Sequence, residues 1–128
     1  MAQKYCVRKK TNLSEGDKEK ALYYASPISS GIVKTKELAS IISDRCSATE
    51  SDVLLVLNAL SKVMKDQLRQ GNKVHFEDIG LFSLSVSSEG FENPEDCTPG
   101  KVVAKRICFL ADKELKNVLP NIVFEQVD

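Results

Sequence analysis

Hydrophobic and polar residues follow two different periods along this chain, and each period predicts a type of element. Near the N-terminus, the segments KYCVRKK and ALYYASPI alternate every second residue, which predicts a hairpin of half-buried strands with a polar connection over residues 11–20. Apolar residues at helical spacing then predict a helix that begins at Thr35 and ends near Cys46. A second helix is expected from about Glu50 to Gln70.

The second helix has sequence signals at both ends and an unusual middle. Thr49 is the expected N-cap, with Asp52 three residues on, and Gly71 is the residue expected just past the C-terminus. The run VLLVL, from Val53 to Leu57, is apolar on every side of the helix. Because one core cannot contact every side of a helix turn, this run indicates burial against a second subunit.

The C-terminal half predicts strands again. Two strands joined by a turn at Glu77-Asp78 follow the second helix, and the strand KVVAKRICF follows a loop with prolines. Strict alternation would divide that strand between two faces, with Val103, Lys105, Ile107 and Phe109 on one and Ala104, Arg106 and Cys108 on the other. A short helix halted at Pro120 and a last strand complete an α+β order, ββ-αα-βββ-α-β.

Charge is segregated along the chain although its formal net charge is zero. Residues 1–36 hold eight Lys and Arg against three acids, residues 73–100 hold one against six, and residues 101–116 hold five against two. The N-terminal lysine cluster is either a solvated face or a nucleic-acid contact. At 128 residues and 42% hydrophobic, the chain suits one globular domain.

The common catalytic and cofactor-binding motifs are absent from the sequence. It has no GxxxxGK[ST] phosphate loop, no GxGxxG and no GxSxG. The only histidine, His75, lies in an alternating strand segment, where a structural role is expected. We therefore expect no catalysis, no cofactor and no small-molecule substrate.

Cysteine usage and hydropathy bear on the compartment. None of the four cysteines belongs to a CxxC pair, so a metal site is not expected. Cys46 and Cys108 are expected to be buried as small hydrophobic residues, and Cys97 to be exposed. The sequence has no apolar signal segment and no run near the ~20 residues of a membrane span. These features predict a cytoplasmic protein with reduced thiols.

Residues 34–119 resemble the bacterial HU/IHF family of histone-like DNA-binding proteins. The two predicted helices resemble the base of that family, and DIGLFSLSV resembles the segment in which it carries a Gly-aromatic-Gly-x-Phe pattern. Gly80 and Phe82 match the second Gly and the Phe, whereas Asp78 replaces the first Gly and Ile79 the aromatic residue.

Two later motifs extend the resemblance. The Asn93-Pro94 pair falls where the family has an Asn-Pro at the tip of its arm, and ICFLADKELKNVL resembles the closing helix with its Phe-x-x-Gly-Lys-x-Leu-Lys pattern. The residues that match this pattern are Phe109, Lys113, Leu115 and Lys116. Residues 1–33 and the tail after Pro120 lie outside the usual family length, as in a longer, HU-related subgroup.

The resemblance implies an HU/IHF-like α+β fold and an intertwined homodimer. Its base is a helix-turn-helix with a β-sheet, from which a β-ribbon arm extends, and a short helix lies near the C-terminus. We expect residues 1–33 to be an N-terminal β-hairpin extension packed on the core. Residues 34–128 would then be the HU-like DNA-binding domain, with a single domain overall.

The function that the resemblance implies is architectural, largely non-specific binding of double-stranded DNA in the bacterial nucleoid, through the phosphate backbone and the minor groove. The expected DNA contacts are Gly80, Lys101, Lys105, Arg106, Lys113 and Lys116. The expected dimer interface consists of Val53, Leu54, Val56, Leu57, Leu60, Phe76 and Phe82. Pro94 is either a wedge between base steps or a plain turn proline.

The outgoing limb of the predicted arm departs from the family. Residues 83–100 contain no Lys or Arg and four acids, Glu89, Glu92, Glu95 and Asp96. Phosphates repel such a limb. The alternative function is therefore a structural or protein-interaction module that keeps the HU fold but has lost strong DNA binding.

Overall fold

The computed structural model describes residues 2–11 and 21–127, which fall into two compact units. One unit combines residues 1–34 with residues 118–128, and the other comprises residues 35–117. The predicted polar connection between the first two strands lies outside the described residues. None of the described helices is long and apolar enough to span a membrane.

The order of strands and helices predicted from the sequence is confirmed in the described residues. The strands are β1 (Gln3–Thr11), β2 (Ala21–Ile28), β3 (Val74–Phe76), β4 (Gly80–Ser87), β5 (Val103–Ala111) and β6 (Phe124–Gln126). The helices are α1 (Thr35–Arg45), α2 (Glu50–Arg69) and α3 (Lys113–Lys116). The protein is thus of mixed α+β class.

The N-terminal unit contains a three-stranded sheet in the order β2-β1-β6. β1 and β2 are antiparallel in one continuous register, whereas β6 pairs in parallel with the start of β1. The N–H of Val127 donates to the carbonyl of Tyr5 at 2.8 Å, and the Tyr5 ring meets Phe124 edge-on with centroids 6.3 Å apart. The predicted last strand therefore belongs to the sheet of the N-terminal segment.

Local hydrogen bonds explain where α2 begins and ends. The Thr49 hydroxyl accepts from the N–H of Asp52 at 3.2 Å, which confirms the predicted N-cap. Gly71 adopts a φ of 89°, and its N–H donates to the carbonyl of Leu68. The N–H of Asn72 donates to the carbonyl of Gln67. Together these two hydrogen bonds form a Schellman motif, in which a glycine tolerates the left-handed conformation.

Very little of the described chain is fully buried. The buried hydrophobic residues are Ala39, Val53 and Leu68, on α1 and α2. The side chains of Leu55 and Val56 are 70% and 64% exposed, so the apolar run of α2 is covered on one side only. These helices lack partners for most of their apolar surface within the described chain.

The burial predicted for the cysteines is partly wrong. Cys46 is exposed because it follows the last residue of α1 and so lies beyond the apolar face of that helix. Cys108 is half-buried, and Cys97 is exposed as predicted.

The second sheet has the order β3-β4-β5, with antiparallel pairing throughout. β3 and β4 are joined by a tight turn in which Asp78 has a φ of 68°, a left-handed conformation that aspartate tolerates better than most residues. Asp78 stands where the HU/IHF pattern has its first glycine. The left-handed backbone conformation at this position explains why the family has glycine there and why aspartate can replace it. β4 and β5 form a long two-stranded ribbon.

A β-bulge interrupts this ribbon and overturns the predicted faces of β5. Ser85 pairs with Arg106 but Val86 pairs with Ala104, so Lys105 is the extra residue. Strict alternation placed Val103 on the face of Ile107 and Phe109, and this placement is wrong, because the inserted residue reverses the alternation beyond it. Ala104, opposite Val86, takes the position that strict alternation gives to Lys105.

Candidate nucleic-acid interface

Two cations lie side by side at the bulge of the ribbon. Lys105 and Arg106 occupy the bulged position of β5, where Arg106 faces Ser85 of β4. Both are exposed, and the Ser85 hydroxyl donates to the carbonyl of Arg106 at 3.3 Å. A bulge re-aims side chains and increases the local twist. The bulge of β5 thus concentrates positive charge at one point of a ribbon that otherwise carries little charge.

The two faces of the ribbon differ in polarity. One face carries Ser83, Ser85 and Ser87 of β4, and the register places Cys108, Arg106 and Val103 of β5 opposite them. The other face is apolar and consists of Phe82, Leu84 and Val86 of β4 with Ala104, Ile107 and Phe109 of β5. The serine face offers hydroxyl donors beside a guanidinium, which is a combination that binds phosphates.

The tip of the ribbon, residues 88–102, folds back on itself. Two 310 turns, Pro94–Asp96 and Pro99–Lys101, shape it. The Lys101 ammonium lies 4.9 Å from the centre of the Phe91 ring and donates to the carbonyl of Asp96 at 3.1 Å. Lys101, one of the predicted DNA contacts, is therefore engaged within the tip.

The acids of the tip are exposed to solvent. Glu89, Glu92, Glu95 and Asp96 are all exposed, and no ion pair neutralises them among the described residues. Pro94 is exposed too and occupies the first position of a 310 turn. The tip therefore presents negative charge around this proline.

Near α3, a carboxylate ties three segments together. An oxygen of Asp112 lies 2.8 Å from Nε2 of His75, and the N–H of Asp78 donates to the same oxygen at 3.1 Å. Asp112 also holds the N-cap position of α3 by its backbone, but its side chain does not cap the helix. The structural role expected for His75 is consistent with this contact, which joins β3 to the end of β5.

Two predicted DNA contacts lie on α3 itself. Lys113 and Lys116 are both exposed and three residues apart, so they project from one side of the helix turn. The neighbouring carboxylate of Asp112 is engaged by His75, whereas Glu114 is exposed between the lysines. The end of the ribbon thus carries a second pair of cations.

Gly80 is buried against β5. A Cβ at this position would lie 2.6 Å from the carbonyl oxygen of Leu110 and would meet the ring of Phe109 as closely. That ring packs on Phe82, with centroids 4.9 Å apart. The close approach of two strands accounts for the glycine, and its predicted contact with a phosphate stays a prediction.

Three of the seven predicted dimer-interface residues line an open apolar groove of the unit formed by residues 35–117. Leu57, Leu60 and Phe82 line this groove, whose volume is about 370 Å³, together with Met64, Leu68 and Ile107. Of the other predicted residues, Val53 is buried, Leu54 and Phe76 are half-buried and Val56 is exposed.

Some contacts of the site carried no signal in the sequence. The Phe91–Lys101 and His75–Asp112 pairs join residues far apart in the chain, and sequence spacing does not reveal them. The serine ladder of β4 was visible as alternation and could have been assigned to the ribbon's polar face. Among the described residues, no cluster of three His, Cys, Asp or Glu side chains is arranged to hold a metal ion.

Comparison with known proteins places these features in a family. A family model described as "HU domain fused to wHTH, Ig, or Glycine-rich motif" matches residues 1–126. None of the curated proteins with which the chain was compared matches it significantly.

Two solved structures resemble the chain. One is a candidate bacterial DNA-binding protein from Bacteroides vulgatus ATCC 8482, with a TM-score of 0.66 and 8% identity over 98% of this chain. This chain spans 48% of the length of that protein. The other is Anabaena HU, crystallised with DNA, with a TM-score of 0.51 and 20% identity over 68% of this chain and 98% of its own. At these identities the likeness concerns the fold.

Proposed function

The chain belongs to the family of HU domains fused to a winged helix-turn-helix, immunoglobulin-like or glycine-rich motif, and from this premise we propose that it is an architectural, largely non-specific DNA-binding protein of the bacterial nucleoid. It acts as a homodimer, without catalysis or a cofactor, and it binds the phosphate backbone and the minor groove of double-stranded DNA. The Anabaena protein of similar fold was crystallised with DNA, which supports this proposal.

The bulged ribbon carries the proposal. Lys105 and Arg106 lie together on β5, and both side chains can donate hydrogen bonds to phosphate oxygens. Cations along a ribbon neutralise phosphates and release counterions, which is the main source of non-specific affinity for DNA. Lys113 and Lys116 extend the contact towards the base. Gly80 and Lys101 complete the proposed set of DNA contacts. Lys101 can reach a phosphate only after its ammonium leaves the Phe91 ring.

A homodimer would bury apolar side chains that a single chain leaves exposed. Leu57, Leu60 and Phe82 line an open groove, and Val56 is 64% exposed in one chain. Burying one such side chain stabilises a protein by about 1.5–3 kcal/mol, so leaving several in water is costly. A second copy of α2 and of the ribbon would fill this groove, as in an intertwined dimer.

Titration of a fluorescently labelled duplex of a few tens of base pairs tests the function. We expect anisotropy to report binding that weakens steeply as salt rises, since each phosphate contact releases counterions. Arg106→Glu should reduce both the affinity and the slope of its salt dependence. Arg45→Glu is the matched control, because it reverses an exposed arginine in the last turn of α1, which is not part of the ribbon.

The outcomes separate clearly. Equal losses in the two arginine variants would show that net charge alone, rather than the ribbon, governs binding. Absence of binding at low salt would refute the DNA-binding proposal.

The acidic tip favours one second candidate function, a protein-interaction module. Its four exposed acids repel phosphates, and its cation Lys101 is already engaged by Phe91 and Asp96. In this case Pro94 is a turn proline rather than a wedge between base steps. Pull-down with the tip acids neutralised distinguishes the two functions: protein partners that disappear with these acids support the module, and recovery of chromosomal DNA alone counts against it.

A further inference from the structure

The sheet of the N-terminal unit separates charge from apolar surface. Side chains two residues apart on β1 share a face, and the antiparallel register adds the β2 residue opposite each of them. One face, named the basic face, includes Lys4, Cys6, Arg8 and Lys10 of β1 with Leu22 and Tyr24 of β2. Three of the four β1 residues on this face are cations.

The opposite face of the sheet has a different character. Tyr5, Ala25 and Pro27 line an apolar groove of about 440 Å³ there, closed at one side by Phe124. Lys9 is the one cation of β1 on this face. This face therefore suits packing against protein.

Two cations of the basic face, Arg8 and Lys10, contact neutral side chains of the sheet. Nε of Arg8 donates to Sγ of Cys6 at 3.4 Å, and Nζ of Lys10 lies 5.9 Å from the centre of the Tyr24 ring. The hydrogen bond from Arg8 to Cys6 and their electrostatic interaction raise the pKa of Arg8 above its ordinary value. Both cationic side chains are exposed.

Among the described residues of the N-terminal unit, acids are few. The described part of the N-terminal unit contains one acid, Glu125, against five Lys and Arg. Glu125 is in register with Lys4, at the far end of β1 from Lys10. No carboxylate of the described residues forms an ion pair with Arg8 or Lys10. Within the described part of the chain, the Arg8–Lys10 end of the face thus has no carboxylate partner.

We propose that the basic face is a second DNA contact, which binds the phosphate backbone of a duplex through Arg8 and Lys10, assisted by Lys4 and the Tyr24 hydroxyl. The inference rests on the proposed function in that duplex DNA is the ligand of both surfaces, but it assigns the contact to a segment outside the usual HU domain.

The spacing of the cations fits a phosphate backbone. Arg8 and Lys10 are about 7 Å apart along the strand, and Lys4 lies about 13 Å from Arg8, at the usual rise of a β-strand. Duplex DNA carries one charge per ~1.7 Å of axis, so such a row meets several phosphates. Tyrosine hydroxyls are common phosphate donors. A single strand would need several aromatic rings on which bases stack, and this face has one.

A matched pair of variants tests the proposal in the full chain. Lys10→Glu and Lys9→Glu change the same charge at adjacent exposed positions, but on opposite faces of β1. In the anisotropy titration with the labelled duplex, Lys10→Glu should lower the salt slope by about 1 for each phosphate that the protein no longer neutralises, with a several-fold loss of affinity. Lys9→Glu should match the parent, and Arg8→Gln should follow Lys10→Glu.

The ribbon variant Arg106→Glu keeps the two proposals distinguishable. If Lys10→Glu behaves like Lys9→Glu while Arg106→Glu loses affinity, the second contact is refuted and the ribbon contact stands. If Lys10→Glu and Arg8→Gln lose affinity while Arg106→Glu does not, the basic face stands and the ribbon contact fails. If the chain binds vesicles of phosphatidylcholine and phosphatidylserine through Lys10 but does not bind the duplex, both are refuted and the face is a membrane contact.

Discussion

The two limbs of the ribbon pair strand to strand, yet they differ in charge. Residues 83–100, the outgoing limb and most of the tip, have four acids and no Lys or Arg, whereas residues 101–116 have five Lys and Arg and two acids. β4 supplies serines and β5 supplies Arg106 to the same face. Backbone pairing constrains the path of a strand but leaves its charge free. A ribbon can therefore assign phosphate binding to one limb only.

Reversing the charge of the return limb should have the largest effect. In the proposed dimer, Lys105→Glu/Arg106→Glu removes four phosphate contacts, so we expect the salt slope to fall by about 3–4 and the affinity at low salt to fall on the order of a hundredfold. Anisotropy titration at several salt concentrations measures both. An unchanged slope would mean that β5 does not contact phosphates.

The contact between the limbs near the base should be the next most sensitive feature. Gly80→Ala places a Cβ against the carbonyl oxygen of Leu110 and the Phe109 ring, so it should destabilise the protein by about 1–3 kcal/mol in urea unfolding. Gly90→Ala is the control, because a Cβ there meets nothing within 4 Å. Equal stability of the two variants would contradict the packing role of Gly80.

Neutralising acids of the outgoing limb should increase DNA affinity, which is the opposite of the effect expected for the return limb. Glu92→Gln/Glu95→Gln removes exposed charge that repels phosphates, so DNA affinity at low salt should rise by about two- to fivefold. Asp44→Asn, at an exposed position of α1, should leave the affinity unchanged. Weaker binding after neutralisation would indicate that the acids orient the tip.

The smallest effect is expected at Lys101, where the two limbs meet. Its ammonium must leave Phe91 before it can reach a phosphate, and a cation–π contact at an exposed site is worth about 0.5–1 kcal/mol. Lys101→Met should therefore reduce DNA affinity less than Lys105→Met does. The same titration compares them, and a larger loss at Lys101 would show that the tip opens readily on DNA.

Most of the fold is predictable from the sequence because the relevant signals are local. Thr49 and Gly71 marked the ends of α2 through capping chemistry that depends on a few neighbouring residues. The alternation that marks the strands is equally local. The order of all the described elements therefore follows from short-range patterns along the chain.

Features that depend on pairing between distant segments do not follow from such patterns. The bulge at Lys105 arises from the register of β4 against β5, and alternation within β5 alone assigns Val103 to the wrong face. The engagement of Lys101 by Phe91 and of Asp112 by His75 likewise requires the folded chain. Charge predicted which limb could meet DNA, but not which cation is already occupied.

The extra residue at Lys105 affects the twist of the ribbon rather than the pairing of the residues beyond it. Val86 pairs with Ala104 and Ser87 with Val103, so deleting Lys105 would remove the bulge but keep these pairs and their faces. Adding two residues beyond the bulge would lengthen the arm and keep every face. We therefore expect paired insertions beyond the bulge to preserve DNA binding in the same titration, and deletion of Lys105 to weaken it by the loss of one phosphate contact in each subunit.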